Sequence, residues 1–416
     1  MAGDPNSPIR VLSFDNALSV SGITSWNLRA AIGFANAPEL GVHWTAVEIA
    51  DKAELDQILP NVPSHCRDRI CFIEKDPSNS AWSLLPQILR QLPGLEDIDV
   101  VIPNGAVPGW ELPQYIFRKT GRRPAVLGSV HNDKEVDYVM LGEGITGCDG
   151  IFAVSHHCQK ELVRRYPQLP EPFFIPYGVP VADAVVPRPK DGALAIVYCG
   201  RVVQPQKRAM DMIPLVQNLL QTKVDFVLHV VGSGDLLPLL QQDLNAIAGD
   251  RIVFHGVVPS TQIPALMAQM HLLISLSDYE GTSISMLEAM GQGVVPVVTD
   301  IASGVRDVIQ PNKNGWVVPV GDVPKMAEVI ADLAKNRAAL SAAAVASWES
   351  IRDGYSLESN IRAMAGLLKT IARQPRAEYR MNRNHPVWRN GRLELPWMPN
   401  TIIRAIRRLK TILPKS

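Results

Sequence analysis

The segment from His271 to Val298 reads as strand, loop, helix, strand, and no other stretch limits the fold so tightly. His271 to Leu276 and Val294 to Val298 are apolar runs of strand length, and the residues between them hold one helix. Two strands joined in this way lie parallel in one sheet, with the helix packed on its face. In such a sheet ligands sit at the carboxyl ends of the strands, where helix N-termini begin. Here that position is Asp278-Tyr-Glu280-Gly281-Thr282-Ser283-Ile284-Ser285, a loop turning into a helix. The backbone N–H groups of Thr282 to Ser285 are expected to point at the crevice, a setting that favours a phosphate or other anion. Glu280 and Glu288 bracket the turn. Eight helical residues rise roughly 12 Å, so the two carboxylates cannot chelate one ion or share one proton. They suit two ends of an extended ligand with a diphosphate between them, such as a sugar nucleotide.

Strand–helix alternation runs through both halves of the chain. Arg10 to Phe14, Val42 to Ile49, Ile70 to Glu74, Val100 to Ile102, Ala125 to Val130, Ile151 to Ser155 and Phe173 to Ile175 read as strands. Ser25 to Phe34, Trp82 to Leu92 and Gln159 to Arg165 have helical periodicity between them. Pro180 to Gly192, with prolines, charges and no amphipathic period, reads as a linker. A second series supplies strands at Ala193 to Tyr198, Phe226 to Val231, Ile252 to His255, Leu272 to Leu276, Val294 to Val298 and Trp316 to Val318, then three helical stretches ending near Ala372. The expected class is therefore α/β, with two Rossmann-like, doubly wound parallel-sheet domains. The 416 residues are enough for two separate cores. The expected division is an N-terminal domain over 1–185, a C-terminal domain over 193–373 and a tail over 374–416.

The tail carries the charge asymmetry. Net charge is zero, yet 11 of the 41 Lys and Arg lie from Arg373 onward against 2 of the 41 Asp and Glu, a local +9 that leaves −9 elsewhere. Thr401 to Leu413 reads as a basic amphipathic helix with Ile402, Ile406, Leu409 and Leu413 on one face and Arg404, Arg407, Arg408 and Lys410 around the rest. It either packs on the N-terminal domain or lies on an anionic membrane surface. The basic residues gather in a tail without a recognisable module, so nucleic-acid binding is not expected. A hydrophobic fraction of 46% and a mean hydropathy of +0.04 fit a soluble globular chain. The first residues lack the pattern of a signal peptide. Cys66, Cys71, Cys148, Cys158 and Cys199 are scattered and match no zinc spacing, as expected of reduced cytosolic thiols.

Glu280-x7-Glu288 resembles the corresponding motif of retaining glycosyltransferases of family 4, which have the GT-B fold of two Rossmann-like domains facing a cleft. Four further motifs follow that family's order, and the resemblance spans roughly residues 8 to 370. Gly200-Arg201-Val-Val-Gln-Pro-Gln-Lys207 resembles its diphosphate clamp, and Val230-Val-Gly232-Ser-Gly234 its next strand-to-helix turn. Phe254-His-Gly256, followed by Val257, resembles the strand leading to the nucleobase pocket. Asn314-Gly-Trp316 with Val317 to Asp322 resembles the late Gly-rich turn. Two departures stand out: Thr282 and Ser283 replace the common Phe-Gly, and Ser19-Val-Ser-Gly22 replaces a Gly-Gly loop, leaving Gly22 as the position carried over.

The resemblance implies a metal-independent, retaining transferase without a cofactor. It would move a hexose-type sugar from a nucleoside diphosphate sugar, such as a UDP- or GDP-sugar, to a glycan or lipid-linked acceptor in surface polysaccharide assembly. The expected location is the cytoplasm, or the periphery of the plasma membrane's inner face. Arg201 and Lys207 would hold the diphosphate as its charge grows. Glu288 would accept from ribose hydroxyls, and Glu280 would face the sugar. The resemblance also places His131 at the donor sugar's hydroxyls, with Asp133 as its orienting partner. Donor-binding positions are then Gly22, Gly200, Gly232, Gly256, Val257, Gly281, Thr282, Ser283, Ile284, Ser285 and Glu288. Asp97-Ile-Asp99 precedes a strand and is far from any phosphate loop, so no metal site is expected there. His229 and His255 lie inside strand patterns and are expected to be structural, while His156 and His157 have no evident partner. A GT-B sugar-nucleotide epimerase and a non-catalytic adaptor are the competing readings.

Overall fold

Two parallel sheets, each at the centre of its own unit, organise the chain. The structure, a computed structural model, describes residues 7–16, 22–58, 62–75, 80–92, 94–189, 191–204, 206–388, 398–399 and 401–403. Ser19 to Ser21 lie outside the described residues, as does the basic helix expected from Thr401 to Leu413 beyond its first three residues.

The first unit contains β1 (Ile9–Asn16), β2 (Val42–Ala50), β3 (Ile70–Glu74), β4 (Val100–Ile102), β5 (Ala125–Val130), β6 (Ile145–Thr146), β7 (Gly150–Ala153) and β8 (Phe173–Phe174). Its seven-stranded sheet runs β3-β2-β1-β4-β5-β7-β8, with parallel pairing throughout. β4, β5 and β7 are buried along their whole length and β1 from Val11 to Asp15, as expected of strands covered on both faces. Chain direction across the sheet reverses between β1 and β4, which places a crevice at their carboxyl ends.

The second unit repeats the plan with β9 (Leu194–Cys199), β10 (Phe226–Val231), β11 (Ile252–Gly256), β12 (Leu272–Ser275), β13 (Val295–Thr299) and β14 (Trp316–Val318). The order is β11-β10-β9-β12-β13-β14, again all parallel, with the reversal between β9 and β12. Pro296 is tolerated in β13 because pairing with β14 begins only at Val297. Leu194, Ile196, Phe226, Leu228, Leu272, Ile274, Val295 and Val297 form a fully buried cluster with the surrounding helices. Each such side chain contributes about 1.5–3 kcal/mol by leaving water.

Helices Val107–Thr120 and Lys52–Ile58 of the first unit are not among those expected from the sequence. Val107–Thr120 carries Pro108 at its start and Pro113 inside, and prolines argue against a helix until packing overrides them. Trp110, Leu112 and Ile116 bury its inner face, and Gly121 ends it in the left-handed region at φ +74°. Lys52–Ile58 starts on a reciprocal cap, Glu54 N–H to Asp51 Oδ1 at 2.9 Å and Asp51 N–H to Glu54 Oε2 at 3.1 Å.

The observed division also differs from 1–185, 193–373 and 374–416. The units are 1–154, 158–175 and 361–416 on one side, and 155–157 and 176–360 on the other. Pro180 to Gly192 packs on the second unit instead of spanning as a free linker. Ala182 N–H donates to the Gly291 carbonyl at 3.0 Å, and Arg188 donates to the carbonyls of Gln292 and Gly293 at 2.7 and 2.9 Å. A cation there satisfies the carbonyl-rich end of helix Ile284–Gly291. Ile371, near the end of helix Leu357–Arg373, lies against Gly150 of β7, so this end belongs to the first unit. Farther on, β15 (Arg380–Met381) pairs antiparallel with β6, and Tyr379 donates its hydroxyl to the Trp110 carbonyl at 2.7 Å. Trp388 joins the same core. Up to that residue the described part of the tail packs on the first unit.

Candidate functional site

At the carboxyl edge of the second sheet, three turns meet as bare backbone. Gly200 follows β9, Gly232 follows β10 and Gly256 ends β11. The Gly200 N–H donates to the Val231 carbonyl at 3.0 Å, and the Gly232 N–H to the Gly256 carbonyl at 2.7 Å. A Cβ on Gly232 would fall 2.0 Å from the Gly200 carbonyl oxygen, and its φ of +128° excludes ordinary side chains as well. Glycine is needed there for close approach of two backbones. Val257, next after Gly256, is 45% exposed and continues this edge.

Beside these turns, the loops after β9 and β12 are tied together at the point where strand order reverses. Lys207 Nζ lies 2.5 Å from Glu280 Oε1, which also accepts from Ser277 Oγ at 2.9 Å. Arg201 donates to Gln206 Oε1 at 2.6 Å, and Gln206 accepts the Asp278 N–H on its own carbonyl at 2.9 Å. Arg208 reaches both Asp211 and Asp278, at 2.7 and 3.2 Å. Tyr198 donates its hydroxyl to the Arg201 carbonyl at 2.6 Å; burial, with Glu280 nearby, pushes this phenol up, so it remains a donor. The structure thus brings together Arg201, Lys207 and Glu280, which lie on loops more than 70 residues apart. Gln206 and Arg208 complete the tie. Nothing in the sequence pattern separated them from an ordinary polar loop.

Helix Ile284–Gly291 begins at the same edge. Ser283 caps it, its Oγ accepting from the Met286 N–H, and Ser285 Oγ lies 3.2 Å from Ser283 Oγ. The first-turn N–H groups of any helix lack a carbonyl one turn earlier, so this end is suited to an anion. Gly281 accepts the Gly304 N–H at 2.7 Å, and a Cβ on Gly304 would lie 2.0 Å from Thr282 Oγ1. The loop after β13 therefore backs the Gly281–Thr282 turn directly. Glu288 is only 7% exposed, unlike a solvent-facing helical glutamate.

The first unit has a different set of groups at its own point of reversal. Asn104 follows β4 in the left-handed region at φ +42°. Its amide nitrogen donates to the Phe14 carbonyl at 2.9 Å and to Ser13 Oγ at 3.1 Å. Its carbonyl oxygen accepts from Ser129 Oγ at 2.7 Å and lies 3.0 Å from His131 Nε2. Trp26 and Phe152 rings flank the imidazole, and burial lowers its pKa to about 3. The partner on Nε2 is thus Asn104, not the Asp133 expected from the sequence; Asp133 accepts the Tyr138 hydroxyl at 2.8 Å. Glu48, wholly buried on β2, accepts from Asn27 at 2.8 Å, and burial with Asp15 nearby raises its pKa well above the usual carboxylate range. Gly22 opens helix Gly22–Asn36.

Other singled-out residues have structural partners. Asp97 accepts from the Arg10 guanidinium at 3.1 Å, and Asp99 pairs with Arg122 and the Arg10 backbone. His229 and His255 face each other at 2.9 Å on adjacent strands. His156, left without a partner by the sequence, meets Asp307 through its backbone N–H at 2.8 Å. Among the described residues no group of three or more His, Cys, Asp or Glu is arranged to hold a metal ion, and no helix is long and apolar enough to cross a membrane.

Residues 193–336 match the family model described as glycosyl transferases group 1. Over 195 residues the chain is 31% identical to a lipopolysaccharide 1,6-galactosyltransferase of Escherichia coli (strain K12), covering 45% of this chain and 53% of that protein. It therefore spans about half the length of that relative. It is 29% identical to an N-acetyl-alpha-D-glucosaminyl L-malate synthase of Bacillus anthracis, over 68% of this chain and 77% of that one. Among solved structures, Anabaena Alr3699/HepE in complex with UDP-glucose superimposes with a TM-score of 0.68 at 14% identity, covering 87% of this chain and 100% of the other. That likeness, with the two parallel sheets, identifies the fold as GT-B.

Proposed function

We propose that this chain, whose residues 193–336 match the family model of glycosyl transferases group 1, is a retaining, metal-independent glycosyltransferase. It moves a hexose-type sugar from a nucleoside diphosphate sugar to a glycan or lipid-linked acceptor in surface polysaccharide biosynthesis. The relatives named above as lipopolysaccharide galactosyltransferase and glucosaminyl malate synthase, and a neighbour holding UDP-glucose, support this class of donor. Its proposed place of work is the cytoplasmic face of the plasma membrane.

The observation that carries the reading is the tie between Arg201, Gln206, Lys207 and Glu280 beside the N-terminus of helix Ile284–Gly291. Cleavage of the sugar–phosphate bond leaves growing negative charge on the diphosphate. Two fixed cations and oriented amides stabilise it without reorganising, and Arg201 can fork onto two phosphate oxygens. The Lys207–Glu280 pair lets a carboxylate stand close to the sugar while the ammonium holds it in place. Gly256, where no atom lies within 4 Å of an added Cβ, leaves room for the nucleotide, and Gly232 lets the turns after β9 and β10 approach closely beside it. Glu288 receives ribose hydroxyls.

The test is a thermal-shift screen with UDP, GDP, ADP and their sugars, followed by transfer assays with chelator present. A nucleoside diphosphate should raise the Tm of the wild type and not of Arg201→Ala, whose transfer rate should fall about 100-fold or more. Equal shifts in both proteins, or activity lost to chelator and restored by a divalent cation, would overturn the clamp or the metal-independent mechanism respectively.

A further inference from the structure

We propose that Asn104 is a positioning residue that locks His131 in its Nε2–H tautomer. The inference rests on the reading of His131 as a sugar-facing group of the proposed transferase.

The logic starts at a backbone carbonyl. The Phe14 carbonyl can only accept, and it lies 2.9 Å from the Asn104 amide nitrogen. Turning the amide over would set two acceptor oxygens against each other at that distance. The amide is therefore fixed with its nitrogen toward Phe14 and Ser13, and its oxygen toward Ser129 and His131. An oxygen that can only accept, 3.0 Å from His131 Nε2, requires the proton on Nε2. A neutral imidazole has one ring proton, so Nδ1 is left as a pure acceptor. His131 is buried to 4% exposure among Trp26 and Phe152, which keeps the ring neutral and its plane held.

The backbone of Asn104 points the same way. A non-glycine residue at φ +42° is uncommon, and Asn is among the few that tolerate it. Both amide hydrogens and both lone pairs of its oxygen are engaged, so the surrounding network over-determines the conformation. Ser13 on β1, Asn104 after β4 and Ser129 on β5 converge where the strand order of this sheet reverses. A histidine so held can accept a hydrogen bond at Nδ1 from a sugar hydroxyl. It cannot act there as a cation or proton donor.

The decisive measurement is the two-bond 15N–1H spectrum of the histidine rings in the full-length protein at pH 7. Comparison with His131→Gln picks out this ring among the 9 histidines. The Nε2–H pattern is expected, unchanged down to pH 5; an Nδ1–H pattern or a titration in that range would overturn the proposal. Asn104→Asp should make the ring titrate above pH 5 and slow transfer about 10- to 100-fold, the scale of a misplaced catalytic-site group, with nucleoside diphosphate affinity unchanged. Ser129→Ala should keep the wild-type tautomer. If Asn104→Asp alters neither ring protonation nor transfer, the positioning role is wrong. Should the wild type transfer no sugar, the functional reading fails while the spectrum still decides the tautomer.

Discussion

The two units share a strand order through the first five strands, yet the edges where that order reverses have opposite electrostatic character. In the second unit the edge is built from ions: Lys207 against Glu280, and Arg208 against Asp211 and Asp278, with glycine backbones beside them. In the first unit the edge around Asn104 is built from neutral hydrogen bonds to Ser13, Ser129 and His131; the carboxylate beside it, Asp15, accepts from Thr24 and, with burial, pushes Glu48 toward its protonated form. One fold therefore presents two chemically different edges. Fixed charge suits a diphosphate, whose own charge changes during bond cleavage. A neutral, fully satisfied network suits hydroxyl groups, where geometry discriminates and charge would only add a desolvation cost.

The strongest way to break this contrast is at Lys207. Its side chain is 15% exposed and that of Glu280 7%, so the pair is largely removed from water. Lys207→Met should reduce transfer about 100-fold or more by removing a charge-stabilising donor. It should also destabilise the fold by about 3 kcal/mol, because a buried carboxylate loses its counter-ion. The double variant Lys207→Met/Glu280→Gln separates the two effects. Urea unfolding should show stability largely restored, whereas transfer stays low. Recovery of transfer in the double variant would mean that Lys207 serves only to neutralise Glu280.

The glycine edge sharpens the comparison at the level of backbone. Gly232→Ala would put a methyl 2.0 Å from a backbone oxygen that cannot step aside, in a conformation at φ +128°. A loss of about 2–3 kcal/mol is expected, with nucleotide affinity falling in parallel. Gly256→Ala is the control, since at φ +64° no atom lies within 4 Å of the added methyl. It should cost about 1 kcal/mol, the left-handed penalty alone. Equal losses in chemical denaturation would show that conformation, not close approach, selects glycine at position 232.

How much of this was legible in the sequence follows the same divide. β3, β4, β5, β10 and β14 begin and end where the short apolar runs do, because an apolar run of strand length bounded by turn residues has few other ways to leave water. The site in the second unit was readable because its groups come as contiguous runs, Gly200 to Lys207 and Glu280 to Glu288. Only their mutual ties, through Gln206 and Arg208, needed the fold. In the first unit Asn104 meets Ser13 across 91 positions and Ser129 across 25. Single polar residues ending short strands carry no period and no motif. Helix Val107–Thr120 was hidden for a related reason: Pro108 and Pro113 argue locally against what Trp110 and Leu112 impose by burial. Likewise, the tail's packing through Tyr379 and Trp388 depends on partners more than 240 residues earlier.

The neutrality of the first unit's site can be tested through pH, with the smallest expected effect of the three. Burial lowers the His131 pKa to about 3 from an unfolded value of 6.5. Between these values the unfolded chain binds the proton and the folded chain does not. Stability from this group is therefore complete above pH 6.5 and is lost as pH falls toward 3. Glu48 works in the opposite sense, since its raised pKa adds stability as pH falls toward its ordinary value of 4.5. The net slope of the wild type thus mixes the two, and the comparison must be made against His131→Gln, in which Glu48 is retained. Each unit of pH below 6.5 should cost the wild type about 1.4 kcal/mol more than the variant, so the gap at pH 5 should have changed by about 2 kcal/mol relative to pH 7. Urea denaturation of both proteins at the two pH values measures it. Parallel curves would mean that His131 is charged or solvated in the folded protein, and the contrast between an ionic edge and a neutral one would disappear.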